Sequence, residues 1–441
     1  MYKCSGVCSG CGRCFRNDNA VKTAGPEPAV LLYPQDFVPE KGTDRLGAAL
    51  DIGTTTVAGT LWDLARGVQL AAASAPNPQI EFGRDVISRI AFCSRGENNL
   101  PLLRGLIRSC ADDLIADLCA KAGADPGSIA RVTVCGNTTM SHIFAGYSPQ
   151  SLAVAPFTPA YKGELMLTGE ASGLNVNAEA AVIVLPGIAG HVGGDITAGI
   201  DAVRLDRTVG ETGIVIFVDI GTNGEIVFSD GGRLYACSTA AGPAFEGGNI
   251  SCGMRAEAGA IEEIDVAGDE ITAKTIGGAK AVGICGSGLI DAAAKLLEAG
   301  RIDETGRLSE TVYLDEQRTV FINQKDIREL QLAKSAIRAG IKALLLHAEK
   351  GESDIAKIIL AGAFGSSINI ASALRAGLLP DIGEENIISA GNAAATGTAM
   401  ALVSRQEEKR ICHIADLTEH VELATDPAFQ ELFLDYINFT K

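Results

Sequence analysis

The dipeptide Gly-Lys occurs nowhere in the 441 residues, which excludes the glycine-rich phosphate loop that ends in Gly-Lys-Ser/Thr. Basic residues are outnumbered, 37 Lys and Arg against 54 Asp and Glu, for a formal net charge of -17. A surface so short of cations is unsuited to nucleic acid, whose phosphates are gripped by surplus Lys and Arg. No run approaches the roughly 18 consecutive apolar residues that a membrane helix needs. The start, Met1-Tyr-Lys-Cys4, lacks the apolar block of a secretory leader. A cytoplasmic protein with neither nucleic acid nor membrane as partner is expected. The remaining composition, 47% hydrophobic and 21% charged, suits two or three domains with substantial cores.

Two segments read as copies of each other: Leu46-Gly-Ala-Ala-Leu-Asp51-Ile-Gly53-Thr54-Thr55-Thr56 and Ile214-Val-Ile-Phe-Val-Asp219-Ile-Gly221-Thr222-Asn223-Gly224. Each is an apolar strand, a carboxylate, a polar turn, and then more strand, so each predicts a β-hairpin with a polar tip. Glycine lets the backbone point N–H groups at an anion, threonine adds hydroxyls, and aspartate can hold Mg²⁺ through water. A single copy would serve equally well as an ordinary hairpin turn. Two copies suit related half-molecules that each offer a loop to one phosphorylated ligand.

The twelve cysteines form two populations. Cys93, Cys110, Cys119, Cys135, Cys237, Cys252, Cys285 and Cys412 are scattered in apolar surroundings and are expected as small core residues. Cys4-x3-Cys8-x2-Cys11-x2-Cys14, interleaved with glycines, can wrap one metal centre. The run is close to the bacterial ferredoxin pattern, so an iron–sulfur cluster of the 4Fe-4S kind is the first expectation. Tetrahedral zinc would use the same ligands. Prolines at 26, 28, 34 and 39 and charges through 40–45 then predict a linker over 21–45, a tether for a small redox appendage on 1–20.

From 46 onward strands and helices alternate, the grammar of an α/β protein with sites at strand ends. Leu100 to Ala122 has helical spacing and stops at Gly123; Arg131 to Cys135 is a strand leading to the polar turn Gly136-Asn137-Thr138. Further corners could serve a nucleotide: Gly193-Gly194-Asp195 before a helix, the loop carrying Glu246, and Gly286-Ser287-Gly288 at a helix N-terminus, where an anion or a ribose hydroxyl could bind. Gly362-Ala363-Phe364-Gly365 follows an apolar strand and could receive an adenine ring. Gly391 onward is a helix of small side chains suited to close packing, as at a hinge.

Taken in order, Asp51-Ile-Gly-Thr-Thr-Thr, Gly194-Asp195-Ile-Thr-Ala-Gly199, Asp219-Ile-Gly-Thr-Asn-Gly224, Gly362-Ala-Phe-Gly365 and Gly391 onward resemble the phosphate, connecting and adenosine elements of the actin, sugar kinase and heat-shock chaperone superfamily. Gly83-Arg-Asp85-Val-Ile-Ser-Arg-Ile, Gly136-Asn-Thr-Thr-Met140, Thr239-Ala-Ala-Gly-Pro-Ala-Phe-Glu246-Gly, Gly283-Ile-Cys-Gly-Ser-Gly-Leu-Ile-Asp291 and the segment 421–431 resemble one branch, the reductive activators of corrinoid proteins. The resemblance implies a two-lobed actin-like ATPase of duplicated ribonuclease H-like domains, lobe I over 46–205, lobe II with a return helix over 206–405, and a tail over 406–441. It implies an enzyme that couples ATP hydrolysis to reduction of Co(II) to Co(I) on a corrinoid methyltransferase protein, supplied by a ferredoxin-like donor, with a homodimer among the arrangements open to it. Asp51, Asp195 and Asp219 are the catalytic candidates, the last two for orienting the attacking water. Gly53, Thr54, Thr55, Thr56, Gly221, Thr222, Asn223, Gly224, Glu246, Gly286, Ser287, Gly362, Ala363, Phe364 and Gly365 would hold Mg-ATP. The compact cysteine segment departs from the longer plant-type two-iron domain of well-known members, which alters the electron relay. The alternatives are a small-molecule kinase, with zinc at the cysteines, and an activator of another low-potential metalloenzyme on the same scaffold.

Overall fold

The computed structural model describes residues 31–40, 46–207, 213–365 and 367–439. The four-cysteine motif of Cys4, Cys8, Cys11 and Cys14 lies outside them. The chain divides into two units, 1–209 with 231–234 and 390–420, and 210–230 with 235–389 and 421–441.

The first unit is built on a six-stranded mixed sheet. Its spatial order is Val68–Pro76, Thr56–Asp63, Leu46–Ile52, Ile129–Gly136, Ala181–Val184, Leu165–Thr168. The first three strands run antiparallel as successive hairpins, and Leu46–Ile52 then pairs in parallel with Ile129–Gly136. Leu50, Ile52 and Val134 are wholly buried in a core shared with Leu103, Ile107 and Leu118 of the helix Asn99–Ala122. That helix ends where the sequence predicts, at Gly123 in the left-handed region (φ 66°).

The second unit repeats the plan. Leu234–Thr239, Gly224–Ser229 and Ile214–Ile220 are consecutive neighbours, and Ile355–Ala361 and Ile387–Ser389 follow in parallel. The registers match at the motif. Asp51 lies beside Cys135 of its parallel neighbour, and Asp219 beside Ala361 of its own. Gly136, the last residue of its strand, and Gly362, the first beyond its own, thus follow at equivalent positions. An added Cβ on either would sit against the first motif strand: 2.6 Å from the Ile52 carbonyl oxygen for Gly136, 2.8 Å from the Ile220 carbonyl oxygen and 2.6 Å from Asp219 Oδ1 for Gly362. The duplication read from the two Asp-Ile-Gly-Thr strings therefore extends through five strands of each sheet.

Helix Ala393–Val403 follows the second unit in sequence yet packs in the first, against Gly194–Ala202. Its small side chains allow this. A Cβ at Gly397 would come within 1.9 Å of the Ala198 carbonyl oxygen, so only hydrogen fits.

Within the expected linker, residues 31–40 are docked on the first unit as a strap. Leu31 is buried, and Tyr33 stacks on Phe37 (5.4 Å between centroids) and meets Trp62 edge-on (5.9 Å). Charges pin both ends of the turn: Arg204 and Arg207 donate to Asp36 at 3.0 and 2.6 Å, Ser404 Oγ donates to Glu40 at 2.8 Å, and the Glu40 N–H donates to the Val403 carbonyl. Of the eight scattered cysteines all are free; six are buried, and Cys252 and Cys412 are half-buried. Among the described residues no helix is long and apolar enough to cross a membrane.

Candidate functional site

In the first unit the turn after Asp51 is held from behind at three successive carbonyls. Asn77 Nδ2 donates to Gly53 O at 2.9 Å, the Asn77 N–H donates to Thr55 O at 2.9 Å, and Arg89 donates to Thr54 O. Asn137 Nδ2 donates to Thr54 Oγ1 at 2.9 Å, while its Oδ1 caps the helix Thr138–Ala145. In a planar trans peptide the C=O and the following N–H point in opposite directions. Fixing the carbonyls of 53, 54 and 55 inward therefore turns the N–H groups of 54, 55 and 56 the other way.

Asp51 is partly buried and accepts from Asn392 Nδ2 at 3.0 Å and from Cys135 Sγ at 3.5 Å. Burial pushes its carboxyl above the usual range, opposed by those two donors. Burial also pushes the Cys135 thiol well up, with the charges of Asp51 and then Asp195 adding to the effect. Asp51 thus sits on the thiol, while Asp195 opens the helix Gly194–Ala202 and accepts from the Ile196 N–H at 2.9 Å. A small pocket opens beside Asp51, lined by Thr60, Ser74, Asn392 and Thr398 and bordered by Leu31 of the strap.

In the second unit the equivalent turn is held differently. The Gly221 N–H donates to Asn223 O at 2.9 Å, and Thr222 Oγ1 donates to Glu246 Oε1 at 3.0 Å. Asp219 lies against the backbone of Gly362, which adopts φ 85°. Phe245 and Phe364 stack at 4.8 Å and 19°, and Gly286 lies under the Phe245 carbonyl, so close that a Cβ would fall 2.0 Å from its oxygen. The four sequence elements expected at a nucleotide, carrying Asp219, Glu246, Gly286 and Gly362, are thereby brought together by contacts within one unit. Ser287 is buried, its hydroxyl 3.2 Å from Cys285 Sγ. Ala363 and Gly365 belong to the short helix Gly362–Gly365.

The supports of the first turn escaped the sequence reading. Asn77 stands between Pro76 and Pro78 and caps the turn Pro78–Phe82, a helix-start signal. Arg89 is the one charge in the apolar helix Val86–Ser94 and falls on its buried face with Val86, Ile90 and Cys93. A lone cation at core spacing was the available sign.

Two units of one topology, each ending its central hairpin in a carboxylate and a polar turn, define the actin-like, or ASKHA, ATPase fold. Residues 213–441 match the C-terminal ASKHA domain of RACo, and residues 46–208 match the RACo middle region. The chain is 37% identical over 429 residues to the corrinoid activation enzyme RamQ of Eubacterium limosum, covering 90% of this chain and 71% of that protein. It is 25% identical over 430 residues to a Co(II) methylated amine-specific corrinoid protein reductase of Methanosarcina barkeri, covering 89% and 77%. A solved structure of a reductive activator for a corrinoid, iron-sulfur protein superposes with a TM-score of 0.81 at 35% identity, over 90% of this chain and 66% of that one. The chain belongs to the RACo family of reductive activators, and it spans about two thirds to three quarters of the length of these relatives.

Proposed function

We propose that this protein is an ATP-dependent reductive activator, which passes one low-potential electron to the inactive Co(II) centre of a corrinoid-carrying methyltransferase protein and returns it to Co(I). The observation that carries the reading is the family match across both units, 46–208 and 213–441, supported by relatives named for this activity. The electron balance is simple: a ferredoxin-like donor loses one electron and cobalt gains it, while ATP and water become ADP and phosphate. An iron–sulfur cluster on Cys4, Cys8, Cys11 and Cys14 would supply the one-electron relay between donor and cobalt; four thiolates are the donor set such a cluster takes. A cytoplasmic setting and a homodimer complete the proposal.

In this reading the N–H groups of Thr54, Thr55 and Thr56 and the hydroxyls of the turn bind phosphate oxygens. Gly221, Thr222, Asn223 and Gly224 add donors, and Gly286 and Gly362 to Gly365 border the nucleoside. Asp51 orients water around Mg²⁺. Asp219, or Asp195, holds the attacking water in line, since phosphoryl transfer depends on positioning as much as on charge neutralisation. ATP can drive an uphill electron only by binding two conformations with unequal affinity, so closure around the nucleotide is the coupling step.

The test is anaerobic. Purified protein should contain about four irons with matching sulfide per chain, lost in Cys11→Ser. With a corrinoid methyltransferase protein and reduced ferredoxin it should convert the Co(II) absorption to that of Co(I) only when ATP is present. Stoichiometric zinc without iron, together with ATP-independent cobalt chemistry, would overturn the proposal.

A further inference from the structure

We infer that Arg89 is a positioning residue for polyphosphate: from inside the core it sets the Gly53–Thr56 turn and tunes its affinity for anions without touching the nucleotide. The inference rests on the reading of that turn as a phosphate holder. It begins with the local sequence. Asp85 caps the helix Val86–Ser94, accepting from the Ser88 N–H at 2.8 Å and from Ser88 Oγ at 2.7 Å. That start places residue 89 on the buried face, and Arg89 is completely enclosed.

The guanidinium spends its donors on fixed acceptors. Nε donates to Gly83 O at 2.9 Å, Nη1 to Gln79 Oε1 at 3.1 Å with Met140 Sδ at 3.0 Å, and Nη2 to Thr54 O. Gln79 is itself held, donating to Leu103 O at 2.8 Å. The planar fork therefore ties the middle carbonyl of the phosphate turn to the helix Asn99–Ala122 through three hydrogen bonds, by way of Gln79. Arginine is effectively always charged, and enclosing that charge is costly. Two returns offset the cost. The carbonyl of Thr54 is locked inward, which aims the N–H of Thr55 outward. A positive charge one hydrogen bond behind the turn also raises the potential felt by a polyanion in front of it. Lysine, with a single point of charge, can reproduce the second effect but not the fork.

The experiment compares the wild type with R89K, R89M and R89A, measuring binding of ATP and of adenosine by calorimetry together with KM and kcat for ATP hydrolysis. R89M should weaken ATP by about 100-fold and R89K by about tenfold, from the loss of charge-assisted bonds. Adenosine affinity should stay unchanged, and KM should rise while kcat falls little. Guanidinium ion should restore ATP binding to R89A, and urea at the same concentration should not. Equal loss of ATP and adenosine, or no recovery with guanidinium, would mean that Arg89 only supports the core and would overturn the inference. Wild-type affinity in both R89K and R89M would overturn it as well. Should R89A and R89M not fold, R89K decides through its ATP-to-adenosine ratio. Failure of the wild type to bind ATP would instead remove the phosphate reading itself.

Discussion

The two polar turns share their wording and strand register but not their support. Behind Gly53–Thr56 stand an asparagine at each side and an arginine beneath, all donating to the turn. Beside Gly221–Gly224 stands the carboxylate of Glu246, accepting from Thr222. One unit backs its turn with donors and positive charge, and the other sets an acid on the hydroxyl of Thr222. In the proposed function the duplicated motif is thereby divided by its surroundings: both turns give donors to phosphate, the first from the more rigid support, and the second sets Asp219 at the attacking water. The lesson is that repeated letters give the two turns the same backbone plan, while their neighbours give each turn a different support.

The sharpest way to break this contrast is Asp219→Asn. Phosphate release should fall by more than about 100-fold, while ATP affinity measured by calorimetry stays within about threefold of wild type. Loss of affinity equal to the loss of turnover would erase the division of labour. Next in size is a paired comparison. Asn77→Ala frees the carbonyl of Gly53, the Thr55 carbonyl keeping its backbone donor, and should weaken ATP binding about tenfold with little change in kcat. Glu246→Gln should do the reverse, lowering kcat and leaving affinity intact or improved. If both variants move the same parameter, the two turns are functionally alike.

The smallest effect concerns a further property of the first unit. Asp201 is buried beside Glu407, between Arg204 at 2.9 Å and Arg410 at 3.3 Å. Burial, reinforced by the Glu407 charge, lifts the Asp201 carboxyl to about 8. Its unfolded value is about 3.9, so between these limits the native state holds a proton that the unfolded chain has lost. That contribution to stability is complete below the unfolded value and disappears as pH rises through 8. Hydrogen exchange of the helix Gly194–Ala202 should therefore quicken between about pH 4 and pH 8 and level off above, after correction for intrinsic rates, and Asp201→Asn should flatten the slope.

Much of this was legible in advance because it is local. Alternation of apolar and polar residues marked both hairpins, Gly123 marked a helix end, and the small residues after Gly391 marked a close-packed helix. What stayed hidden is long-range. Asn77 and Arg89 support a turn 24 and 35 positions away in sequence, and no periodicity connects them to it. Helix Ala393–Val403 returns to the first unit after residues 235–389 of the second, a pairing that only packing against Gly194–Ala202 specifies. The strap looked like a plain linker because prolines and charges dominate it. Three apolar side chains, Leu31, Tyr33 and Phe37, decide its docking instead.

The seat of that strap has an optical consequence. Trp62 is the one tryptophan of the chain, and Tyr33 covers it edge-on while Leu31 and Phe37 belong to the same apolar cluster. An indole so enclosed emits toward the blue, and water reaching it moves the emission toward the red. The protein therefore carries its own dye at the place where the N-terminal segment joins the first unit. Every event that lifts the strap, whether nucleotide, partner or electron, is readable as colour without a label.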